Sequence, residues 1–120
     1  MPLFYSQTDE EITIRQQSIE LDNWIEHFEF IGKELNYLSK LIRISQFKNI
    51  FNSELLNKKE ENNYLLSLFY DFKNKNENVI ECMDIPWDMH YVNQHELYRE
   101  QYLIFIREYR TLKIEILNIL

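Results

Sequence analysis

The segment Leu21–Ile42, LDNWIEHFEFIGKELNYLSKLI, decides the fold. Large apolar residues recur in it at alternating intervals of three and four positions, at Leu21, Trp24, Phe28, Ile31, Leu35, Leu38 and Ile42. This spacing aligns side chains along one face of an α-helix and forms a seam between packed helices. Because Ile25 and Leu41 widen the seam, the pattern favours a helical bundle over a two-stranded coiled coil.

Two further seams follow along the chain. The last third carries a regular one, at Tyr91, His95, Tyr98, Tyr102, Phe105, Tyr109, Leu112, Ile116 and Ile119. The middle seam is less regular, with Leu55, Leu65, Phe69, Phe72, Val79 and Met83, and with Lys58, Asn62 and Asn76 at intervening seam positions. The polar segments 57–63 and 74–78 are therefore compatible with either a solvated helix or a loop.

Two interruptions separate the seams. The heptad phase slips between Ser45 and Ser53, which predicts a turn, and Pro86 disfavours helix at Ile85. We therefore predict helices over about 9–44, 53–83 and 88–119 in one domain, 1–120. The expected fold is all-α, an elongated antiparallel three-helix bundle with coiled-coil-like heptad packing, and a four-helix arrangement is the alternative.

Composition restricts the function. Thirteen Lys and Arg against twenty Asp and Glu give a net charge of −7, which argues against nucleic-acid binding. No apolar run approaches the ~18 residues of a membrane span, and the first residues do not resemble a signal peptide. Cys82 is the only cysteine, so no internal disulfide is expected. These features predict a cytoplasmic protein without a cofactor.

One segment of the chain carries residues of the types that ligate metal ions. One glycine in the chain cannot build a phosphate-binding loop, and no Glu-x-x-His pair or nucleophile elbow is present. Asp84, Asp88, His90 and His95 could ligate a metal ion if the segment folds them together. His95 lies on the same seam as Tyr91, however, which favours a hydrogen-bonded core histidine. The sequence thus predicts a protein that is not an enzyme.

A second alternative comes from the segment His27-Phe28-Glu29-Phe30-Ile31-Gly32-Lys33. It resembles the phosphoacceptor segment of histidine phosphotransfer domains, which are acidic helical bundles of similar size. The resemblance implies a signalling role with His27 as the phosphorylated residue. The segment departs from that pattern, because Phe30 stands where the lysine belongs and Gly32 comes one position late. Glu29 would also repel a phosphate.

The favoured function is non-enzymatic protein–protein interaction. Aromatic and aliphatic residues outnumber the seam positions, so we expect a second apolar surface that binds a protein partner or another copy of the chain. The candidate contact residues are Trp87, Tyr91, Phe30, Phe51 and Ile106. Trp87, beside the corner at Pro86, is the type of aromatic that anchors interfaces, although it could equally close the end of the core. Such a module would be an adaptor, a chaperone-like factor or an assembly subunit.

Overall fold

Three long helices make up a computed structural model of the chain. It describes residues 9–82 and 89–120, and the side chains at 10, 76–82 and 89–90 are not among those described. The helices are α1 (Asp9–Arg43), α2 (Asn52–Cys82) and α3 (Met89–Ile119). They pack into an elongated body of 64 × 26 × 18 Å. The prediction of an all-α three-helix bundle is confirmed.

The helices alternate in direction. Trp24 of α1 contacts Phe69 of α2. One turn further along α1, the Phe28 carbonyl accepts a hydrogen bond from Asn62, which precedes Phe69 on α2. Helices α1 and α2 are therefore antiparallel. Helix α3 lies beside α1 and runs parallel to it. The hydrogen bonds between described residues of the two helices show this direction, because they join residues at nearly constant separations of 75 or 79 positions. The predicted helix ends at 83 and 88 lie outside the described residues.

The predicted seams form the core. In α1 and α3 the buried seam residues are Leu21, Trp24, Phe28, Ile31, Leu35, Leu38, Ile42, Tyr91, His95, Phe105, Tyr109, Leu112 and Ile116. α2 adds Leu55, Leu65, Phe69 and Phe72. Phe28 lies at the centre, with its ring 4.7 Å from that of Phe105 and 5.3 Å from that of Phe69. Burial of large apolar side chains is the main stabilising contribution to such a fold.

Helix α2 continues through both polar segments, 57–63 and 74–78. Lys58 lies at a seam position, and its ammonium group binds Glu61 at 2.9 Å and Glu108 of α3 at 2.6 Å. The same group lies 5.1 Å from the centre of the Phe105 ring. Partial burial lowers the pKa of Lys58, but the two carboxylates outweigh that effect and raise it overall. A lysine is therefore tolerated at the seam because its ammonium group is paired with two carboxylates and lies over an aromatic ring.

Helices α1 and α2 approach each other closely at Gly32. A β-carbon at this position would lie 3.3 Å from Nδ2 of Asn62, which is buried on α2. That nitrogen donates a hydrogen bond of 3.1 Å to the carbonyl oxygen of Phe28. Glycine at position 32 therefore lets the buried amide reach the backbone of α1.

The turn predicted over 45–53 spans residues 44–51. Ser45 organises its first half: its hydroxyl donates to the Ile42 carbonyl at 2.8 Å and accepts from the Phe47 amide at 3.0 Å. Phe51 ends the turn with φ of 68°. Its carbonyl oxygen accepts the Leu55 amide at 2.8 Å, so this residue caps the start of α2. A positive φ is unfavourable for a bulky side chain, and packing of the half-buried ring against the core compensates for it.

We predict that Phe51→Gly is more stable than Phe51→Ala by about 1 kcal/mol. Both variants lose the ring packing, but glycine adopts a positive φ without steric cost. Urea denaturation followed by circular dichroism measures the difference. Phe47, in the same turn, does not have a positive φ and provides the control. Phe47→Gly should be no more stable than Phe47→Ala. Equal stabilities of the two Phe51 variants would contradict the strain at this position.

A second prediction concerns Gly32 and Asn62. Alanine in a helix interior is ordinarily about 1 kcal/mol more stable than glycine. In the wild-type chain Gly32→Ala should lose most of that gain, because the new methyl group crowds the Asn62 amide. In an Asn62→Ala background the gain should return. A double-mutant cycle from urea denaturation measures the coupling, and the same gain in both backgrounds would show that the two positions do not interact.

Candidate functional site

Polar side chains join α1 to α3 at three levels along the bundle. On α1 these are Glu20, His27 and Glu34, which are spaced seven residues apart. Their partners on α3 are His95 with Arg99, then Tyr102, then Tyr109 with Lys113. Because the spacing matches the heptad repeat, the three links lie along one edge of the α1–α3 contact.

The link at Glu20 contains a fully buried histidine, His95. Nε2 of His95 lies 2.7 Å from Oε1 of Glu20, and the Trp24 ring stacks on the imidazole with a centroid separation of 4.8 Å. Arg99 holds the same carboxylate through Nε at 2.9 Å and Nη2 at 2.6 Å, and it also binds Glu96. The prediction of a hydrogen-bonded core histidine is confirmed.

The charges at this link follow from burial and pairing. Burial lowers the pKa of His95, because the desolvation of a charged imidazole outweighs the attraction of Glu20. Partial burial would raise the pKa of Glu20, but its hydrogen bonds from Arg99 and His95 lower it overall. Both pKa shifts agree with a neutral His95 imidazole whose Nε2–H donates to the ionised carboxylate of Glu20. The permanent positive charge that balances Glu20 is therefore Arg99.

The predicted metal candidates are only partly described. Asp84 and Asp88 lie outside the described residues, as does the side chain of His90. His95 faces Glu20 and Trp24 within the helical contact. Among the described residues, no group of three or more His, Cys, Asp or Glu side chains could hold a metal ion.

His27, the residue of the phosphotransfer alternative, is half-buried on α1. Its Nδ1 lies 2.7 Å from the Tyr102 hydroxyl, and the two rings meet edge to face. Burial lowers the pKa of His27, the nearby charge of Arg110 lowers it further, and Glu34 opposes both. The histidine is thus one of the links between α1 and α3, and a phosphoacceptor role for it stays a prediction.

The five predicted contact residues do not form one surface. Phe30 is exposed on α1, and Phe51 is half-buried in the turn. Tyr91 and Ile106 are buried in the core, where the monomer offers neither to a partner. Trp87 lies outside the described residues. The burial of Ile106 has a physical reason: α3 packs against two helices, so its buried face is wider than one heptad seam.

Sequence reasoning did not identify the extended apolar surface of which Phe30 is one member. Six exposed residues of α1 and its end form it: Ile12, Ile19, Phe30, Tyr37, Leu41 and Ile44. At 100° per residue they fall within an arc of about 60°, which is centred about 150° from the core seam. We call this surface the outer stripe. Its signal in the sequence was the interval of seven from Ile12 to Ile19, from Phe30 to Tyr37 and from Tyr37 to Ile44.

The residues of the outer stripe are exposed to solvent although all six are large and apolar. Its members range from 39% exposed at Ile12 to 82% at Ile44. The stripe follows almost the whole of α1, a length of about 50 Å at 1.5 Å per residue. The exposed polar residues Asn23 and Glu26 lie within the same arc and divide the stripe between Ile19 and Phe30. Exposed apolar residues aligned along one helix face are typical of interaction sites on soluble proteins.

The described residues of α1, α2 and the turn between them line two grooves. One, of about 440 Å³, adjoins the turn and is lined in part by Arg43, Lys48 and Lys59. The other, of about 350 Å³, lies beside Gly32 and Asn62. Both grooves are open to solvent. The presence of Arg43 at the first groove also has a structural reason, because a cation in the last turn of α1 stabilises the helix dipole.

No protein-family model, curated protein or solved structure matches the chain. Within the described part of the chain, no helix combines the length and the apolar character needed to cross a bilayer.

We predict that His95 makes the fold less stable in mild acid. Its pKa in the folded state is below the ordinary value of 6.5, so the unfolded chain binds a proton at a higher pH than the folded chain does. The free energy of unfolding should therefore fall as pH decreases below 6.5, by at most about 1.4 kcal/mol per pH unit from this residue. Urea denaturation between pH 7.5 and 5.5 measures the slope.

His95→Gln is the matched variant, because its amide can still donate to Glu20. It should show a smaller loss of stability over the same pH range, and His27→Gln should change the slope less because His27 is only half-buried. The contribution of Glu20, whose pKa is lowered from 4.5, is lost only at lower pH. Equal slopes for the wild type and His95→Gln would contradict the prediction.

Proposed function

We propose that this protein is a non-enzymatic interaction module that binds protein partners through the outer stripe of α1. The single observation behind the proposal is the exposure of six large apolar residues along one face of a helix whose opposite face already fills the core. A helix with apolar residues on two opposite faces is typical of an internal helix in a larger assembly.

The chemistry of the stripe supports a helical partner. It combines aliphatic side chains with the aromatic rings of Phe30 and Tyr37, and aromatic residues are enriched where proteins bind one another. Its narrow, straight course over about 50 Å matches the apolar face of another helix better than a globular surface. The acidic exterior would keep the free module soluble and would disfavour acidic partners.

The cytoplasm is the compartment that fits this proposal. A single cysteine, Cys82, offers no internal disulfide, as is usual in a reducing environment. The described residues also provide no cluster with metal-binding geometry, and the buried His95 is engaged by Glu20 rather than facing a groove. The proposal of a binding role therefore rests on the outer stripe.

A site-specific photocrosslinker tests the proposal in living cells of the organism that encodes the chain. Benzoylphenylalanine at Phe30 should give a discrete covalent adduct with a defined protein, which mass spectrometry identifies. Benzoylphenylalanine at Tyr64 is the matched control, because Tyr64 is also aromatic and similarly exposed (64% against 59% for Phe30) but lies on α2 away from the stripe.

The adduct at Phe30 should exceed the adduct at Tyr64 several-fold, and a glutamate at Tyr37 should reduce it. A second aromatic position in the stripe thus checks that the whole surface is used. Equal yields at Phe30 and Tyr64, or an adduct indifferent to the Tyr37 substitution, would refute a docking role for the outer stripe.

A further inference from the structure

We infer that the outer stripe binds a second copy of the same chain, with the two α1 helices packed side by side in opposite directions. This inference rests on the proposed function and names its partner. Four features carry it: the symmetry of the stripe, the charges beside it, its area and its position opposite the core.

Four of the six stripe residues are placed symmetrically about one position of α1. Ile12 and Ile44 share a midpoint at residue 28, and so do Ile19 and Tyr37. A two-fold axis through that midpoint would place Ile12 opposite Ile44 of the second copy and Ile19 opposite its Tyr37. Such self-complementarity is what a symmetric dimer requires, because both subunits contribute the same surface. The two Phe30 rings would lie about 6 Å apart along the helix axis, each opposite Glu26 of the second copy, and Leu41 would lie opposite Arg15.

Charge selects the antiparallel arrangement over the parallel one. Glu26 and Lys33 are exposed beside the stripe on the same edge, seven residues apart. In the antiparallel arrangement, Glu26 lies about 4.5 Å along the helix axis from Lys33 of the second copy, so two symmetric ion pairs form. In a parallel arrangement the edge that carries Glu26 and Lys33 would face the opposite edge of the second copy, so these two residues would not pair with each other.

Two like-charge approaches accompany the antiparallel pairing. The two copies of Glu26 would lie about 6 Å apart along the axis, and the Lys33 side chains between which they sit offset their repulsion. Arg15 would lie near Lys40 of the second copy, at the ends of the contact. Both side chains are exposed and flexible, so solvent screens their repulsion. The central ion pairs lie nearer the two-fold axis and next to the apolar contact, where the same charges interact more strongly.

The six side chains of the stripe supply about three quarters of the area that a stable dimer buries. The exposed fractions of the six side chains correspond to about 600 Å² of surface per copy, if each large side chain offers ~180 Å² when fully exposed. A stable interface buries about 800 Å² per partner. Adjacent stems such as those of Glu26 and Lys33 supply the difference, since long side chains cover apolar surface with their methylene groups.

The position of α1 completes the argument. One face of this helix contacts α2 and α3, and the outer stripe lies nearly opposite. Pairing two stripes would place both α1 helices at the centre of a six-helix assembly, with α2 and α3 of each copy outside. Every large apolar residue of α1 would then be covered.

Sedimentation equilibrium of the wild-type chain at tens of micromolar should give twice the monomer mass of 14.9 kDa. Tyr37→Glu should weaken dimerisation by about tenfold or more, because it introduces a charge into the apolar contact. Leu97→Glu is the matched control: Leu97 is 54% exposed on α3, outside the stripe, and its substitution should leave the mass unchanged. Circular dichroism should show the same helicity for all three proteins.

Disulfide formation tests the direction of the helices. In a Cys82→Ser background, Ile19→Cys and Tyr37→Cys are made in separate chains that carry tags of different mass. A mixture of the two should form a mixed disulfide dimer under mild oxidation, and each variant alone should form little. Predominant coupling of Ile19→Cys to itself would indicate a parallel dimer and would overturn the inference.

Failure of this inference is distinguishable from failure of the proposed function. A wild-type chain that stays monomeric, with no mixed disulfide, overturns the dimer. If benzoylphenylalanine at Phe30 still joins the chain to a different protein, the stripe is a docking surface for that protein and only the identity of the partner was wrong. If neither a dimer nor an adduct forms, both conclusions fall.

Discussion

Burial of the α1 seam between α2 and α3 is the interaction on which the rest of the structure depends. Phe28 is fully buried where the three helices meet, against Phe69 of α2 and Phe105 of α3. Helices α2 and α3 pack against this seam although each carries a polar residue at a seam position, Lys58 on α2 and His95 on α3. The polar residues at those positions are tolerated because each has a charged partner on another helix.

The polar contacts fix how the helices align rather than how strongly they attract. Glu20, His27 and Glu34 each meet a different partner on α3, so a shift of α3 by one heptad would leave the buried His95 without its carboxylate. Asn62 fixes the alignment of α2 with α1 in the same way, since only one alignment brings its amide to the Phe28 carbonyl. Apolar side chains alone would permit several alignments of similar stability.

Periodicity predicted the three helices, the turn and the buried position of His95, because burial follows directly from the spacing of residues along a helix. It did not predict which groups meet across 75 residues, such as Glu20 with His95, because that depends on how the helices are placed beside each other. It also could not show that Ile106 is buried or that Phe51 adopts a positive φ. The first depends on packing against two neighbours at once, and the second on tertiary contacts that overcome a local preference. The outer stripe was present in the spacing of Ile12, Ile19 and Tyr37, but a seam and an exposed stripe have the same period, and only the packed helices distinguish them.

The close approach of α1 and α2 at Gly32 has a consequence for how the chain reaches this structure. The two helices are joined by only eight residues, so bringing them together costs little chain entropy. α3 contacts α1 more sparsely through its backbone and relies on large side chains that meet residues 75 or more positions away. During synthesis, a hairpin of α1 and α2 can therefore assemble before α3 has left the ribosome, and its aromatic surface must wait for α3 to cover it. Until then Trp24 and Phe28 are the groups that a chaperone would meet.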